Sequence, residues 1–596
     1  MTFNGVRPKT STAGYKRFNL FKRQPLALVN QACNVLMRYR FFYGLHLRNG
    51  YDINAKSVLA YCQCRQHRSD LLANSSPIIS NNRTVDFYDL FIGHRNLNRL
   101  YPVVAYIRYF LESFRVEIQQ YFIANDTEEN PFNREERSLV YQRAKNIRDT
   151  IAFGTQRNLL AENYLSLWHS LAPKKVTEDA KYIDIGGPDC KQPYRASLLN
   201  ISAMSFGSLS SNAIEAMNLG AKKAGCYHNT GEGGVSPYHL KHGGDIVWQI
   251  GTGLFGCRDL AGNFNAELFT KTAQLSNIKM IEIKLSQGAK PAHGGMLPKA
   301  KITEEIANIR QIPMTEDCIS PATNPMCETP IDLLNFVQQL RELSGGKPVG
   351  FKLCLGNPAE FLSLCKAMLE SGITPDFITI DGAEGGTGAA PVEFSNRLGM
   401  MCLEAVYLVH NALVGAGLRD KIRIIASGKT ASSFDVLTKI AVGADLVNAA
   451  RTMMMAIGCV QSRHCDSNLC PTGIATQDPV RAKAINVTHK SDRVNNFHHN
   501  TLKNFYELVG SIGLDSPAQL KPNMIKRRTS NGLLMPVSTL VPALASNDLI
   551  NAGNDKTAQL TQPWQDWWTH SNADSFYVPD QLAAHTSVIK IKTEAL

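Results

Sequence analysis

The sequence has no run of about 18 uncharged apolar residues, so no membrane-spanning helix is expected. Its N-terminus lacks a compact apolar segment ending in a small-residue cleavage site, which disfavours secretion and points to the cytoplasm. The 14 cysteines form no dense framework, and Cys354, Cys365 and Cys402 lie inside apolar runs, which fits reduced thiols and excludes a disulfide scaffold. Glycine (43) and proline (27) are too sparse for a collagen-like or low-complexity chain, while 44% hydrophobic and 19% charged residues are ordinary for a globular one. No internal repeat is found. Acid is scarce in one place: residues 1–69 carry 12 Lys/Arg against the single Asp52. Removing these from the totals of 63 basic and 51 acidic residues leaves 51 and 50, so the net charge of +12 belongs almost wholly to a terminal arm.

At 596 residues the chain admits one large domain with extensions or several smaller ones. Its texture separates a basic arm (1–69), a helical N-terminal region (70–177), a central region (178–491) and a C-terminal helix and tail (492–596). Ile107, Phe110, Leu111, Phe114 and Ile118 share one helical face and predict a helix over Tyr101–Ile123. Asn133 followed by Glu136 has the spacing of a capping box and predicts a second helix start.

The central region alternates short apolar runs with helical stretches, the pattern of βα units around a parallel sheet. The eight expected strands are Leu198–Met204, Cys226–Asn229, Ile246–Gln249, Met280–Lys284, Val349–Leu353, Phe377–Asp381, Arg423–Ala426 and Asp445–Asn448. The expected fold is therefore α/β: a (β/α)8 TIM barrel with a basic helical extension before it and a helical or irregular tail after it. Each apolar run ends on a polar or backbone-adapted residue, where barrel active sites lie, and the insertion Leu285–Pro330 is expected to cover that face.

Three local signals carry chemistry. Cys459, Cys465 and Cys470 are spaced for convergence in one loop, and three openings remain: an iron–sulfur cluster, zinc with His464 as a fourth ligand, or unrelated buried thiols. The turns Ser427-Gly428-Lys429 and Ala449-Ala450-Arg451 follow strands seven and eight, where such barrels hold phosphate. Lys284 and Lys352 end apolar strands and must meet an anion, which is either a structural carboxylate or the polar edge of a flavin that Gln249 would share.

Ordered motifs then accumulate: Ser-Ala-Met-Ser-Phe-Gly-Ser (202–208), Thr-Gly-Glu-Gly-Gly (230–234), Lys-Leu-Ser-Gln-Gly-Ala-Lys-Pro (284–291), Gly-Gly-Met-Leu-Pro (294–298), Gly-Gly-Thr-Gly-Ala-Ala-Pro (385–391) and Cys-Pro-Thr-Gly-Ile-Ala-Thr-Gln (470–477). Over roughly Ile183–Asp492 these resemble the FMN-binding domain of glutamate synthase, and the flanking segments resemble its stand-alone relatives that lack the amidotransferase domain. The resemblance implies FMN at the barrel mouth and a [3Fe-4S] cluster on Cys459, Cys465 and Cys470, which feeds electrons to the flavin for hydride delivery to an imine. It implies that Met204, Ser205, Gln249 and Lys352 lie by the flavin ring, and that Gly428, Lys429, Ala450 and Arg451 take its phosphate. Lys284, Gln287, Lys290, Met296 and Arg310 would form the substrate site, with Glu232, Lys284 and Glu384 in catalytic roles. The implied activity is reductive amination of 2-oxoglutarate or a related 2-oxo acid. The residue-level alternatives are a Glu232 that only fixes its loop, a solvated Lys290 and a surface Arg310.

Departures bear on substrate. Met296 stands where the family carries a Gln, Val235-Ser236 replace an acidic pair, and Glu384 replaces Asp. They favour, as a second reading, another FMN-barrel reaction such as synthesis of an N-substituted glutamate or oxidation of an amino or hydroxy acid. Met1-Thr2 offers no Cys nucleophile, so no intrinsic glutaminase is expected, and ammonia or an amine comes from solution or an amidotransferase partner. With no Gly-x-Gly-x-x-Gly nucleotide fold evident, the expected reductant is a ferredoxin or a flavoprotein subunit. No specific nucleic-acid partner is expected. The basic arm suggests peripheral membrane contact, docking of an acidic donor or organelle targeting, and a third reading makes the chain a non-catalytic membrane- or partner-binding subunit.

Overall fold

The computed structural model describes residues 96–577, apart from 102–103, 148, 540 and 555–559. The basic arm lies outside the described residues. The chain divides into two compact units, Met1–Ile118 and Gln119–Leu596. In the first, the described residues form helices Asn96–Leu100, Val104–Ser113 and Arg115–Ile118, with the rings of Phe110 and Phe114 5.1 Å apart. The helix expected over Tyr101–Ile123 is thus interrupted, and Gln119–Ile123, in the second unit, is a wider π turn.

The second unit is built on a closed parallel barrel: β1 Leu199–Ile201, β2 His228–Asn229, β3 Ile246–Ile250, β4 Ile278–Lys284, β5 Val349–Leu353, β6 Phe377–Asp381, β7 Arg423–Ser427 and β8 Leu446–Ala449. Neighbours in sequence are neighbours in the barrel, and β8 returns to β1. All eight expected strands are present. β1 is shorter than the expected Leu198–Met204: its last tie to β8 is the Ser202 N–H donating to Ala449 O at 3.0 Å, and Ala203–Met204 lie beyond the strand, along the cavity wall.

The antiparallel hairpin Tyr182–Ile185/Tyr194–Ser197 plugs the barrel at the N-terminal strand ends. There Ile185 and Ala196 pack with Tyr227, Val247, Met280, Phe377, Ile425 and Leu446 in a buried, mostly apolar layer. With this end closed, the other end is the one left for chemistry.

Helices α1 Arg134–Ala144, α2 Ser211–Ala224 and α3 Val487–Ser511 brace the outside, α3 packing on both α1 and α2. The expected capping box at α1 is present: Asn133 Oδ1 accepts from Glu136 N and Glu136 Oε2 from Asn133 N, both at 2.9 Å. The insertion after β4 holds the hairpin Met296–Leu297/Cys318–Ile319 and the helix Glu304–Arg310. In the C-terminal tail the helix Trp564–His570 is anchored by Trp564 Nε1 donating to Pro542 O at 2.7 Å. No described helix is long and apolar enough to cross a membrane.

The close approach of α2 and α3 rests on Gly220. A methyl there would lie 2.5 Å from Val494 Cβ and 3.0 Å from Ser491 O. Alanine gains about 1 kcal/mol of helix propensity over glycine, but overpacking against a branched side chain and a backbone carbonyl costs about 1–3 kcal/mol. Gly220→Ala is therefore expected to lower the unfolding free energy by up to about 2 kcal/mol, measured by urea titration.

Candidate active site at the barrel mouth

A cavity of about 1170 Å³ opens where β1–β8 end. Ligand pockets usually measure about 300–1,000 Å³, so this one has room for a cofactor and a small substrate together. Its wall includes every expected site residue except Cys470, which is buried behind it.

At one side stands Glu232, on the loop after β2. Gly251 and Gly295 enclose it so closely that a Cβ on either would touch its carboxylate, which explains glycine at both positions. Lys284, the last residue of β4, places Nζ 3.1 Å from Glu232 Oε2 and donates to Gln287 Oε1 at 3.0 Å. Lys290 and Arg310 are buried beside this pair, so they are neither a solvated loop charge nor a surface cation. Burial pushes the Glu232 carboxyl up, but Lys284, Lys290 and Arg310 outweigh it and hold the group below the usual carboxylate range. Burial pushes the Lys290 ammonium down to about 8, against the pull of Glu232. Arg310 donates to Phe206 O at 3.2 Å, and its Nε makes no hydrogen bond.

On the barrel floor Lys352 of β5 pairs with Asp381 of β6 at 3.1 Å, and Asp381 also accepts the Gly288 N–H at 3.0 Å. Burial pushes the Lys352 ammonium down, but Asp381 and Glu282 more than compensate and keep it charged. Glu282, which the sequence reading passed over, lies inside β4 and accepts from Gln249 Nε2 and Asn229 Nδ2, both at 2.7 Å, and from Thr379 Oγ1 at 2.6 Å.

The far side is formed by the turns after β7 and β8, with Gly428, Lys429, Ala450 and Arg451. Residues 130–132, ahead of α1, complete its wall. Both Lys429 and Arg451 lie over the Phe132 ring, and Lys429 is paired with Glu136 of α1 at 3.1 Å. Thr452 Oγ1 is buried here without a hydrogen-bond partner, as an unfilled anion site would leave it. Glu384 stands on this side, away from Glu232. Its two carboxylate oxygens take the Cys402 N–H at 3.1 and 3.3 Å, and Arg451 donates to its carbonyl.

Beyond lies the cysteine loop, in which Gln461, Arg463 and Asn468 all adopt left-handed backbone conformations. Gln461, also unforeseen, ties it down: Phe132 N donates to its Oε1 at 3.2 Å, its Nε2 donates to Phe132 O at 2.9 Å, and Gln120 Nε2 donates to its carbonyl at 3.1 Å. Tyr141 of α1 donates to Cys459 O at 2.7 Å. The three thiols feel one another's charge. Burial pushes Cys459 up to about 12, whereas at Cys470 the Thr472 hydroxyl and nearby backbone N–H groups outweigh burial and favour the thiolate. Buried Lys301 donates to Cys465 O at 3.1 Å, and its cation offsets such charge. This donor chemistry suits a thiolate-bound centre, although among the described residues no three Cys, His, Asp or Glu side chains converge on one point. His464 is exposed.

Gly251-Thr-Gly-Leu-Phe-Gly256, after β3, has the spacing of a dinucleotide-binding turn. No helix opens there, since the next starts at Ala266, and Gly251 backs onto Glu232, so the segment is not a nucleotide fold.

Residues 146–515 match the conserved region of glutamate synthase. The chain is 36% identical over 489 residues to the glutamate synthase large subunit-like protein YerD of Bacillus subtilis, covering 75% of this chain and 93% of that protein. It is also 36% identical over 329 residues to the archaeal glutamate synthase [NADPH] of Methanocaldococcus jannaschii, and 32% over 350 residues to that of Archaeoglobus fulgidus. These matches cover 55% and 59% of this chain, and 61% and 65% of the archaeal proteins. With a closed parallel barrel and a conserved region that takes in all eight of its strands, the chain belongs to the glutamate synthase family of oxidoreductases.

Proposed function

We propose that the chain reductively aminates 2-oxoglutarate or a close 2-oxo acid at the barrel mouth, with FMN and a [3Fe-4S] cluster as its redox groups. The observation that carries this reading is the buried group of Lys284, Lys290 and Arg310 around the single carboxylate of Glu232. A site with three cations and one acid is short of negative charge, and a dicarboxylate supplies it. When bound, FMN supplies the electron pair and the cluster on Cys459, Cys465 and Cys470 supplies single electrons, drawn from an electron-transfer partner.

The chain's own residues do the rest. Lys284, Gln287, Lys290 and Arg310 hold the substrate carboxylates, with the Met296 backbone closing the pocket. Glu232, kept ionised by its cations, takes the proton released as nitrogen adds to the carbonyl and returns it to the oxygen that leaves as water. Ammonia, the 2-oxo acid, two electrons and two protons give the amino acid and water. Gln249 and Lys352 meet the polar edge of the flavin ring, with Met204 and Ser205 alongside. Gly428, Ala450, Arg451 and the Thr452 hydroxyl take its phosphate, and Lys429 contributes through its position over Phe132. The carboxylate of Glu384 is committed to the Cys402 N–H, which leaves Glu232 as the proton-handling group.

Met296, 40% exposed at the cavity wall, favours a second reading in which the amine carries an apolar substituent. The two part in a panel of ammonia and alkylamines assayed with 2-oxoglutarate under chemical reduction: the first expects ammonia to be preferred, the second an alkylamine.

Anaerobically purified protein is expected to show flavin absorbance and acid-labile sulfide. Cys470→Ser should lose the sulfide and keep the flavin, and a wild-type preparation with neither would sink the proposal. Lys290 is protonated below about pH 8 and neutral above it. Raising the pH from 7 to 9 should therefore weaken 2-oxoglutarate binding up to roughly tenfold, with KM as the readout, while Lys290→Met should bind weakly throughout and flatten the profile.

A further inference from the structure

Glu282 presents a buried charge that the proposed reaction leaves unused. It is 1% exposed, two residues before the end of the apolar strand β4, where an aliphatic side chain would pack at no electrostatic cost. Three donors surround it instead, from β2, β3 and β6. A carboxylate can only accept, so the Gln249 amide must turn its NH2 toward Glu282. The carbonyl end of that amide is then the one left for the cavity, whose wall Gln249 forms. The backbone cannot drift to compensate, because Gln249 N donates to Thr230 Oγ1 at 3.0 Å.

We infer that Glu282 is a positioning residue that makes position 249 a hydrogen-bond acceptor toward the bound cofactor, an assignment that rests on the proposed FMN reading. The pyrimidine edge of a flavin carries one N–H donor between two carbonyl acceptors. A glutamine free to rotate pairs with either kind of group, whereas one held by Glu282 pairs only with the N–H, which fixes the lateral setting of the ring over the barrel. Glu282 also sets charge. Lys352, on the neighbouring strand, has Asp381 at 3.1 Å and feels Glu282 next most strongly among the acids around it, so loss of the Glu282 charge leaves the mouth more positive.

The test compares holoprotein from the wild type, Glu282→Gln, and the exchange Gln249→Glu with Glu282→Gln, which keeps the total charge and keeps an acceptor at 249. Three quantities are read: the FMN dissociation constant from fluorescence of released flavin, the flavin midpoint potential, and the unfolding midpoint. Glu282→Gln should bind FMN more weakly by up to about tenfold, as expected for one misdirected hydrogen bond between neutral groups, and should show a more positive potential. The exchange should bring affinity back to within about threefold of wild type and the potential toward its original value. Unchanged affinity and potential in Glu282→Gln overturn the assignment, as does an exchange variant that fails to fold or to hold flavin. If Glu282→Gln alone does not fold, recovery in the exchange variant decides the matter. Wild-type protein that binds no FMN overturns this assignment and the cofactor reading together; wild type that binds it beside an indifferent Glu282→Gln overturns only this one.

Discussion

Charge taken out of water must be met by charge or by hydrogen bonds, and the barrel mouth is arranged around that requirement. Lys284, Lys352 and Glu282 are strand residues inside a closed barrel, where an isolated ion carries a penalty of several kcal/mol. Each is answered from across or beside it in the ring, by another strand or the loop that follows one: Lys284 by Glu232, Lys352 by Asp381, and Glu282 by Gln249, Asn229 and Thr379. A parallel barrel brings eight strand ends into one small ring, so residues distant in sequence meet there without long loops. The apolar layer at the other end, built on Ile185 and Ala196, closes the bottom and leaves the polar ring at the top to face the cavity.

The charges divide the cavity by sign. Around Glu232 three cations share one carboxylate, an excess suited to an anionic substrate. Beside Lys352 one cation faces two carboxylates, Asp381 and Glu282, so that the excess of positive charge seen around Glu232 is absent there. On the far side, Lys429 and Arg451 face the aromatic ring of Phe132, and Lys429 is further tied to Glu136. In the proposed reading Arg451, which has no carboxylate in ion-pair contact among the described residues, is the cation there for a phosphate.

Much of this was legible in the sequence, because barrel strands announce themselves as short apolar runs and their polar last residues mark the catalytic face. The ends at Lys284, Lys352 and Asp381 were readable for that reason. Glu282 was not recognised, although the signal was present: in a strand, residues two apart share a face, so an inward Lys284 requires an inward Glu282. The pairing of Lys429 with Glu136 and the tie between Gln461 and Phe132 were illegible, since no local pattern encodes a contact between chain segments about 300 residues apart. Arg310 and Lys290 illustrate a different limit. Composition favours exposure for both, and only the folded insertion after β4 shows that they are buried.

The Gln461 side chain has a consequence for the order in which the molecule is made. Its bonds to Phe132 span 329 residues and the one from Gln120 spans 341, so they join a segment synthesised early to a loop synthesised late. Such long closures carry an entropic cost, and in the folded protein the barrel holds the two segments side by side. Residues 119–144 therefore have no native partner for the cysteine loop until the last strand is in place. Because Gln461 follows the last strand in the chain, its tie to Phe132 exists only once all eight strands have been synthesised, and a chain cut short within the barrel lacks it altogether.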